Sequence, residues 1–375
     1  MQFKNKNPVL FTIVIPVLLS VLMLYQYKNG IRNAADIGLG KATSTFTPFI
    51  DNYPVHITNP SLANLMKEGW IKRGNKNVYL WIGNSQLHGI NEYAPGQTNC
   101  IGFLFDQLKP LNEEVLGVSL PNGNLQEFFM EVIYYSKLIP PKGIILPLFF
   151  DDMREDGIRD LLKLNAIIDS IRPQQDYFSS LKNIASLEVS KSKEAVNDFN
   201  GIRETTQDIS ERYLSRWFES NWSIWRSRPD IRGNLFNDLY NIRNKLFGIN
   251  ASTTREMIPG RYKNNFTAYC GIVKYCKTNN IPLLIYIPPI RHDVPIPYKM
   301  TDYISFKKNV EDISKASPAT FLNLENLVPG QYWGYLKPGN MFDETSGLDF
   351  MHFKQKGHQL IADTIFVTLK GKRKL

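Results

Sequence analysis

Four short apolar runs, separated by stretches with helical patterning, constrain the fold of this chain more than any other feature. They are VYLWIG (78–83), VLGVS (115–119), GIILPLFF (143–150) and IPLLIYIPP (281–289). Runs that are apolar on both faces are typical of strands buried in a parallel sheet, and stretches such as Leu125–Leu138 and Asn265–Thr278 supply the covering helices. The sequence therefore predicts an α/β fold with a doubly wound parallel sheet.

Composition narrows the class of protein further. The chain has 375 residues, of which 43% are hydrophobic, so it can bury a large core and is not a disordered chain. Its three cysteines, Cys100, Cys270 and Cys276, are too few for a disulfide scaffold, and we expect buried free thiols. No spacing of cysteine and histidine matches a metal site, and we expect no metal and no cofactor. The formal net charge of +9 favours contact with phospholipid head groups or acidic polymers.

The N-terminus carries an apolar run. Residues Pro8–Tyr25 contain no charge, and their length is at the short end of what spans a bilayer as a helix. Lys4 and Lys6 precede the run, which favours a cytoplasmic N-terminus and an extracytoplasmic body. A cleaved secretory signal is the alternative, but the residues that follow (Tyr25–Lys28) make a poor cleavage site. We therefore expect an uncleaved single-pass signal anchor, contact with a membrane and no nucleic-acid partner.

The strand pattern stops in the middle of the chain. Residues 155–262 are polar with helical patterning, and we interpret them as a helical insertion or cap on the sheet domain. Three tryptophans there (Trp217, Trp222 and Trp225) lie among arginines, which suits either packing or a carbohydrate, lipid or partner surface. The predicted organisation is a cytoplasmic N-terminus with the anchor (1–30), a stalk (31–74), an α/β domain (75–154 and 263–370) and the insertion (155–262).

Two polar segments lie at positions that suit catalysis. The first run ends in Gly83-Asn84-Ser85, and in doubly wound sheets ligands bind beyond the carboxyl ends of strands. Near the C-terminus, Asp349 and His352 precede an apolar helix, so one loop can hold a carboxylate and an imidazole. The aspartate would fix the tautomer of the imidazole, whose other nitrogen would take a proton from Ser85. Each segment alone also fits ordinary turn or capping chemistry, but together they predict a Ser–His–Asp triad.

Both segments resemble motifs of the SGNH (GDSL-type) hydrolase superfamily. Gly83-Asn84-Ser85 matches its nucleophile motif, and the DxxHFxxxGHxxxAD run that begins at Asp349 matches its last motif. The resemblance implies a three-layer α/β fold and acyl-ester chemistry. It also implies that Ser85 is the nucleophile, His352 the general base and acid, and Asp349 the orienting carboxylate.

The same resemblance implies an oxyanion hole. The second motif of the superfamily contributes a glycine whose N–H binds the oxyanion. The matching loop here makes Gly123 the candidate, with Asn122 or Asn124 adding an amide. Such donors act where negative charge develops on the tetrahedral intermediate.

The third motif departs from the pattern of the superfamily. Gly-x-Asn-Asp, whose asparagine donates to the oxyanion, is replaced by a segment with Asp151. An ionised carboxylate at that position would repel an oxyanion. We expect either that Asp151 faces elsewhere, paired with Arg154 or Arg159, or that the hole uses the Ser85 N–H and groups of the Gly123 loop.

Three more polar residues are candidates for lesser roles. Arg291 follows a strand at the predicted site edge and is a candidate for contact with a substrate anion, although a solvated loop is the alternative. His88 follows the nucleophile closely and either lines the cleft or lies on the next helix. We expect His358 to be structural.

The overall plan also resembles two membrane-associated subgroups: the D-alanyl transfer protein of teichoic-acid modification, and the SGNH subunits of alginate or cellulose O-acetylation systems. The matching features are the N-terminal anchor, Gly-x-Ser-Gln after the first strand, and the terminal Asp-x-x-His-Phe. The resemblance implies an extracytoplasmic O-acyltransferase that works with a polytopic membrane-bound O-acyltransferase (MBOAT) partner. It would pass an acetyl or D-alanyl group to a cell-envelope polymer. A secreted acylesterase, and a non-catalytic scaffold for the membrane partner, are the alternatives.

Overall fold

The computed structural model describes four parts of the chain, residues 46–89, 96–172, 253–336 and 347–371. Apart from Leu336, these residues belong to one compact unit. The predicted anchor, most of the insertion with its tryptophans, and the first part of the stalk lie outside the described residues, so the predicted boundaries stay predictions. None of the helices within the described ranges is long and apolar enough to cross a bilayer.

The described residues form ten strands and seven α-helices. The strands are β1 (Phe49–Ile50), β2 (Tyr53–Pro54), β3 (His56–Ile57), β4 (Asn77–Gly83), β5 (Glu113–Ser119), β6 (Gly143–Pro147), β7 (Leu283–Ile287), β8 (Thr320–Asn323), β9 (Trp333–Leu336) and β10 (Gly347–Phe353). The helices are α1 (Ala63–Lys72), α2 (Cys100–Leu108), α3 (Leu125–Leu138), α4 (Asn165–Ile171), α5 (Pro259–Thr278), α6 (Met300–Lys315) and α7 (Gln355–Gly371). Short 3-10 turns join several of these elements.

The central sheet confirms the predicted fold class. It has six strands in the order β3-β5-β4-β6-β7-β8, and every neighbouring pair is parallel. Without the edge strand β3, this is the 2-1-3-4-5 order of flavodoxin-like doubly wound sheets. The order reverses at β4, so the carboxyl end of β4 lies at the topological switch point, where such folds bind their ligands.

The core explains why the four apolar runs fold as inner strands. Every residue of β5, β6 and β7 is buried, as is all of β4 after its first residue. Helix α2 contacts α7, and α3 contacts both α4 and α5, which provides the cover that strands apolar on both faces require. The three cysteines are free, with Cys100 and Cys276 buried and Cys270 half-buried.

A separate two-stranded sheet, formed by β9 and β10, lies outside the central sheet. The sequence suggests a loop for the Asp349–His352 segment, but the structure places it on β10. The polar residues of β10 lie three positions apart and do not alternate with apolar ones, and its partner strand β9 has only four residues, so neither shows the pattern of a strand. Two of the three predicted triad residues are therefore carried by this small sheet, which we call the C-terminal hairpin (β9 and β10).

Candidate active site

The predicted nucleophile lies in a tight turn at the carboxyl end of β4. Asn84 caps a single 3-10 turn, Ser85–Leu87, and its Oδ1 accepts the Gln86 N–H at 3.0 Å. Gly83 precedes the turn because a larger residue would not fit: a Cβ there would lie 2.6 Å from Cγ of Pro147 on the neighbouring strand β6. The turn therefore aims Ser85 beyond the sheet edge, at the switch point of the fold.

The predicted base is oriented by a single carboxylate. Oδ1 of Asp349 accepts the backbone N–H groups of Met351 and His352, both at 2.9 Å. Its Oδ2 lies 3.0 Å from Nδ1 of His352. A carboxylate can only accept here, so the neutral imidazole carries its hydrogen on Nδ1 and presents the lone pair of Nε2.

The structure brings the three residues together. Oγ of Ser85 lies 3.0 Å from Nε2 of His352, which is within the range for proton transfer to a general base. Ser85 and His352 are each 7% exposed, and Asp349 is 3% exposed, so little water competes for these bonds. The residues are in contact as a Ser–His–Asp triad, and their catalytic roles stay a prediction.

Electrostatics favour the ionised form of Asp349. Burial by itself raises the pKa of a carboxyl group, but His352 and the two backbone N–H donors more than offset that effect. The pKa of Asp349 is therefore below its usual value. An ionised Asp349 is what the triad needs to stabilise the imidazolium that forms when Ser85 gives up its proton.

A buried histidine network braces the nucleophile turn from the other side. His88 closes the turn, since its N–H donates to the Ser85 carbonyl at 3.0 Å. Oγ of Ser119 lies 2.6 Å from Nε2 of both His88 and His56. Nδ2 of Asn99 donates to Nδ1 of His56 at 3.0 Å, because its oxygen already accepts two N–H groups at the start of α2. His56 therefore carries its hydrogen on Nε2 and donates it to Ser119.

The histidines of this network are neutral. Burial lowers the pKa of His56 to about 3, and the repulsion that two protonated rings at His56 and His358 would feel is the smaller contribution. Burial, together with the nearby His56 and His352, lowers the pKa of His88 well below its usual value. His88 is 1% exposed, so the structure places it in the packing beneath the turn and not on an open cleft. His358, expected to be structural, is buried and packs edge-on against Phe353.

The predicted oxyanion donors have other partners in this structure. The Gly123 N–H donates to the Leu120 carbonyl at 3.0 Å, which closes a turn. Asn124 is the N-cap of α3: its Oδ1 accepts two backbone N–H groups, and its Nδ2 donates to the Gly157 carbonyl at 2.8 Å. Asn122 has a left-handed backbone conformation, with φ of 53°, in the same turn. A role in an oxyanion hole would require Gly123 and Asn124 to leave these partners, so that role stays a prediction.

One donor next to the reacting oxygen is unoccupied. Among the hydrogen bonds of the described residues, none uses the Ser85 N–H. A backbone N–H of the nucleophile itself is well placed for the charge that develops on an attacked carbonyl. The Ser85 N–H is one of the donors that the sequence suggests as replacing the asparagine of the third motif.

The two acidic residues of the third motif have different surroundings. Asp151 has cationic partners: its carboxylate pairs with Arg154 at 3.2 Å and with Arg255, and accepts the Tyr298 hydroxyl at 2.8 Å. The sequence predicted the pairing with Arg154 but not the one with Arg255, which is far away in the chain. Asp152 is buried and accepts Nδ2 of Asn84 at 2.9 Å. Burial raises the pKa of Asp152 well above its usual value.

Arg291 is committed to the fold. Its guanidinium binds Asp293 through two bonds of 2.9 and 3.1 Å and donates to the Gly334 carbonyl on β9 at 3.2 Å. The side chain is 4% exposed. The guanidinium is thus already bound within the protein, which does not favour the predicted contact with a substrate anion. Its bonds join the loop after β7 to the C-terminal hairpin.

Comparisons with known proteins add a fold likeness. No protein-family model and no curated protein matches the chain. Among solved structures, the chain is similar to a GDSL-like lipase from Parabacteroides merdae (11% identity, 79% of this chain and 96% of that chain, TM-score 0.39). It is also similar to an acylhydrolase from Bacteroides fragilis (9% identity, 83% of this chain and 97% of that chain, TM-score 0.37). A third similar structure is a catalytic mutant of the acetylxylan esterase Axe2 from Geobacillus stearothermophilus (9% identity, 78% of this chain and 93% of that chain, TM-score 0.36).

These three structures are at most 11% identical to the chain, with TM-scores of 0.39 or less. At this level of identity and TM-score they carry no weight for activity. The class of site is defined by the chain's own geometry: a Ser–His–Asp arrangement at the switch point of a doubly wound sheet. Within the described residues, no group of three histidine, cysteine or acidic side chains could hold a metal ion.

Proposed function

We propose that the chain is an enzyme of acyl-ester chemistry in which Ser85 is the nucleophile. The observation that carries this proposal is the 3.0 Å contact between Oγ of Ser85 and Nε2 of His352, on an imidazole whose other nitrogen lies 3.0 Å from Asp349. Such a chain of bonds activates a hydroxyl that is otherwise a weak nucleophile.

The reaction takes place in two half-steps. Oγ of Ser85 attacks the ester carbonyl while its proton moves to Nε2 of His352, and the carbonyl oxygen gains the negative charge. The Ser85 N–H is the donor available to that oxygen. Collapse of the intermediate breaks the bond to the leaving alcohol, which takes the proton from His352. An acceptor hydroxyl then repeats the sequence in reverse and removes the acyl group from Ser85.

We propose further that the acceptor is a polymer hydroxyl and that the enzyme is an O-acyltransferase of the cell envelope. Support comes from the apolar run at Pro8–Tyr25, from the net charge of +9, and from the motif resemblance to membrane-associated SGNH subunits. In this proposal the anchor holds an extracytoplasmic body beside an MBOAT partner that delivers the acyl group. The acyl group is an acetyl or D-alanyl ester.

An acylesterase is the second candidate, and a specific observation favours it. Oγ of Ser85, the imidazole of His352 and the carboxylate of Asp349 are all supplied by one chain and already in contact. A triad that needs no partner residue can use water as the acceptor. If so, the isolated protein should hydrolyse simple esters such as p-nitrophenyl acetate.

The direction of transfer is tested by the ester-linked acyl content of envelope polymers in cells with wild-type protein or Ser85→Ala. A fall in the variant supports the transferase, and a rise supports the esterase. Ser317→Ala is the matched control, because that hydroxyl lies just after α6, where it donates to the Ser314 carbonyl and accepts the Ala319 N–H, and none of these bonds involves the triad. If acyl content is the same in all three strains at equal protein level, Ser85 is a turn residue and the scaffold alternative takes precedence.

The chemistry itself is tested on the protein alone with an alkyl fluorophosphonate. Attack by Oγ of Ser85 forms a phosphorus–oxygen bond and expels fluoride, while the serine proton passes to His352. We expect labelling of wild-type protein at Ser85 and its loss in His352→Ala. Labelling that survives in His352→Ala would show that the triad does not activate Ser85.

A further inference from the structure

A glutamine directly after the nucleophile ties it to the element that carries the base. Nε2 of Gln86 donates to the Pro289 carbonyl at 2.8 Å and to the Met351 carbonyl at 2.9 Å. Both hydrogens of the amide are thereby used. Gln86 is 3% exposed, and its own N–H is held by Asn84 at 3.0 Å, so the side chain starts from a fixed point.

The two acceptors identify what Gln86 joins. Pro289 lies in the loop after β7, at the same sheet edge as the nucleophile turn. Met351 lies on β10 between Asp349 and His352. The Gln86 side chain thus connects the residue next to the nucleophile with the backbone next to the base, and holds both against the sheet.

This connection is significant because the C-terminal hairpin is not part of the central sheet. β10 pairs with β9 only, so no strand-to-strand backbone bonds fix it relative to β4. The distance between Ser85 and His352 therefore depends on side-chain bridges and on one long backbone bond, from the Arg291 N–H to the Phe350 carbonyl at 3.4 Å. Arg291 fastens the hairpin at β9 through Gly334. Among the described residues, Gln86 adds the one hydrogen bond from the nucleophile turn to the Asp349–His352 segment besides the Ser85–His352 contact itself.

We propose that Gln86 is a positioning residue that sets the alignment of His352 on Ser85. The inference rests on the proposed function of the triad and adds a fourth residue to it. Within the described part of the chain, Gln86 has no hydrogen bond to Oγ of Ser85 or to the His352 imidazole; it acts through the Met351 carbonyl. General-base catalysis depends steeply on this alignment, and a displacement of about 1 Å costs about a hundredfold in rate.

The chemistry of the amide makes the proposal testable. Two carbonyl oxygens face Nε2, so the site needs two N–H donors. Methionine has a similar length but no donor, and would leave both buried carbonyls unpaired. An ionised glutamate at position 86 would place negative charge against the carbonyls, whereas a protonated glutamate can donate to one of them.

The experiment measures inactivation of the full-length protein by an alkyl fluorophosphonate in Gln86→Met and Gln86→Glu. The first-order rate constant and the half-saturating probe concentration are determined separately. We expect the rate constant to fall about 10- to 100-fold in both variants with the half-saturating concentration unchanged. Gln107→Met is the matched control, since that amide also bridges two elements, α2 and α7, through Asp363. Its rate constant should equal that of the wild type.

The pH dependence separates positioning from general loss of structure. The rate of Gln86→Glu divided by that of wild type should rise as pH falls, because protonation restores one donor. Loss of packing would leave this ratio flat. The inference is overturned if the ratio is flat, or if both variants react within twofold of wild type while Ser85→Ala is inert. If Ser85→Ala is labelled as fast as wild type, the proposed function fails instead.

Discussion

At the scale of single residues, Asp349 holds the site together because its one carboxylate accepts three hydrogen bonds. One oxygen fixes the backbone at Met351 and His352, and the other fixes the imidazole. The base is therefore oriented by the same group that sets its tautomer. This division of tasks between two oxygens makes a sharp prediction for an amide at this position.

Asp349→Asn should lower the first-order rate of Ser85 labelling by about a thousandfold or more. The asparagine oxygen would stay on the two backbone N–H groups, and its NH2 would face Nδ1 of His352. The imidazole would then carry its hydrogen on Nε2, where it can no longer accept the proton of Ser85. Fluorophosphonate labelling at pH 8 measures the effect.

The matched control for this substitution is Asp302→Asn. Asp302 also accepts a backbone N–H, that of Met257 at 2.9 Å. It lies on α6, and its side-chain hydrogen bonds within the described residues involve no triad residue. We expect labelling as in wild type. Equal labelling of Asp349→Asn and wild type would show that the tautomer of His352 does not limit the reaction.

The sequence could predict that Ser85, Asp349 and His352 come together because each lies beside a recognisable element: Ser85 after an apolar strand, Asp349 and His352 before an apolar helix. It could not assign Arg291 or His88. A single sequence shows neither the burial of a residue nor its partners. His88 and His56 share one partner, Ser119, which is far from both in the chain. Of these contacts, only the ion pair between Arg291 and Asp293 could have been predicted from neighbouring residues, because the two are two positions apart.

At the scale of elements, the end of β4 depends on the absence of a side chain at Gly83. Gly83→Ala would place a methyl group 2.6 Å from Cγ of Pro147 and 3.2 Å from Cδ1 of Leu87. We expect a loss of about 1–3 kcal/mol in the free energy of unfolding, as in other overpacked cores. Labelling of Ser85 should slow as well, because the displaced strand carries the nucleophile turn.

Urea unfolding of Gly83→Ala and Gly260→Ala checks this explanation. Gly260 lies near the start of α5, and a Cβ there would meet no atom within 4 Å. Gly260→Ala should leave stability unchanged or raise it by up to about 1 kcal/mol, since alanine favours a helix. If Gly83→Ala unfolds at the same urea concentration as wild type, the close approach of β4 and β6 is not what selects glycine.

The inner elements were predictable and the edge elements were not. The apolar runs became β4, β5, β6 and β7, and the predicted helix Leu125–Leu138 is α3 with the same ends. β3 has two residues, β8 is partly exposed, and the polar residues of β10 lie three apart, so none produces a periodic signal. Tertiary contacts rather than local pattern determine them.

At the scale of the whole molecule, buried neutral histidines link stability to pH. The pKa values of His56 and His358 are lowered by burial to about 3. In the unfolded chain these groups bind protons below about pH 6.5, but the folded state does not until about pH 3. Stability contributed by each is complete above pH 6.5 and is lost as pH falls, by about 1.4 kcal/mol per pH unit.

Comparison with His56→Gln isolates this effect. Glutamine retains a donor for Ser119 but does not titrate, so the variant should lose less stability between pH 6 and pH 4 than wild type. The expected difference is about 1 kcal/mol or more per pH unit. Buried acids such as Asp152 and Glu131, with raised pKa values, act in the opposite direction but are common to both proteins. Parallel stability curves from urea unfolding would contradict the assignment.

The C-terminal hairpin has a consequence for how the protein is made. All six strands of the central sheet precede residue 324, whereas the base and its aspartate follow it, and His352 lies 267 positions after Ser85. A ribosome-bound chain, or one shortened by a late stop codon or a protease, retains the strands of the sheet and the serine but has no general base. In the proposed mechanism Ser85 thus becomes reactive only once the chain has been made through His352, and we expect a chain that has lost β10 to remain unlabelled by a fluorophosphonate.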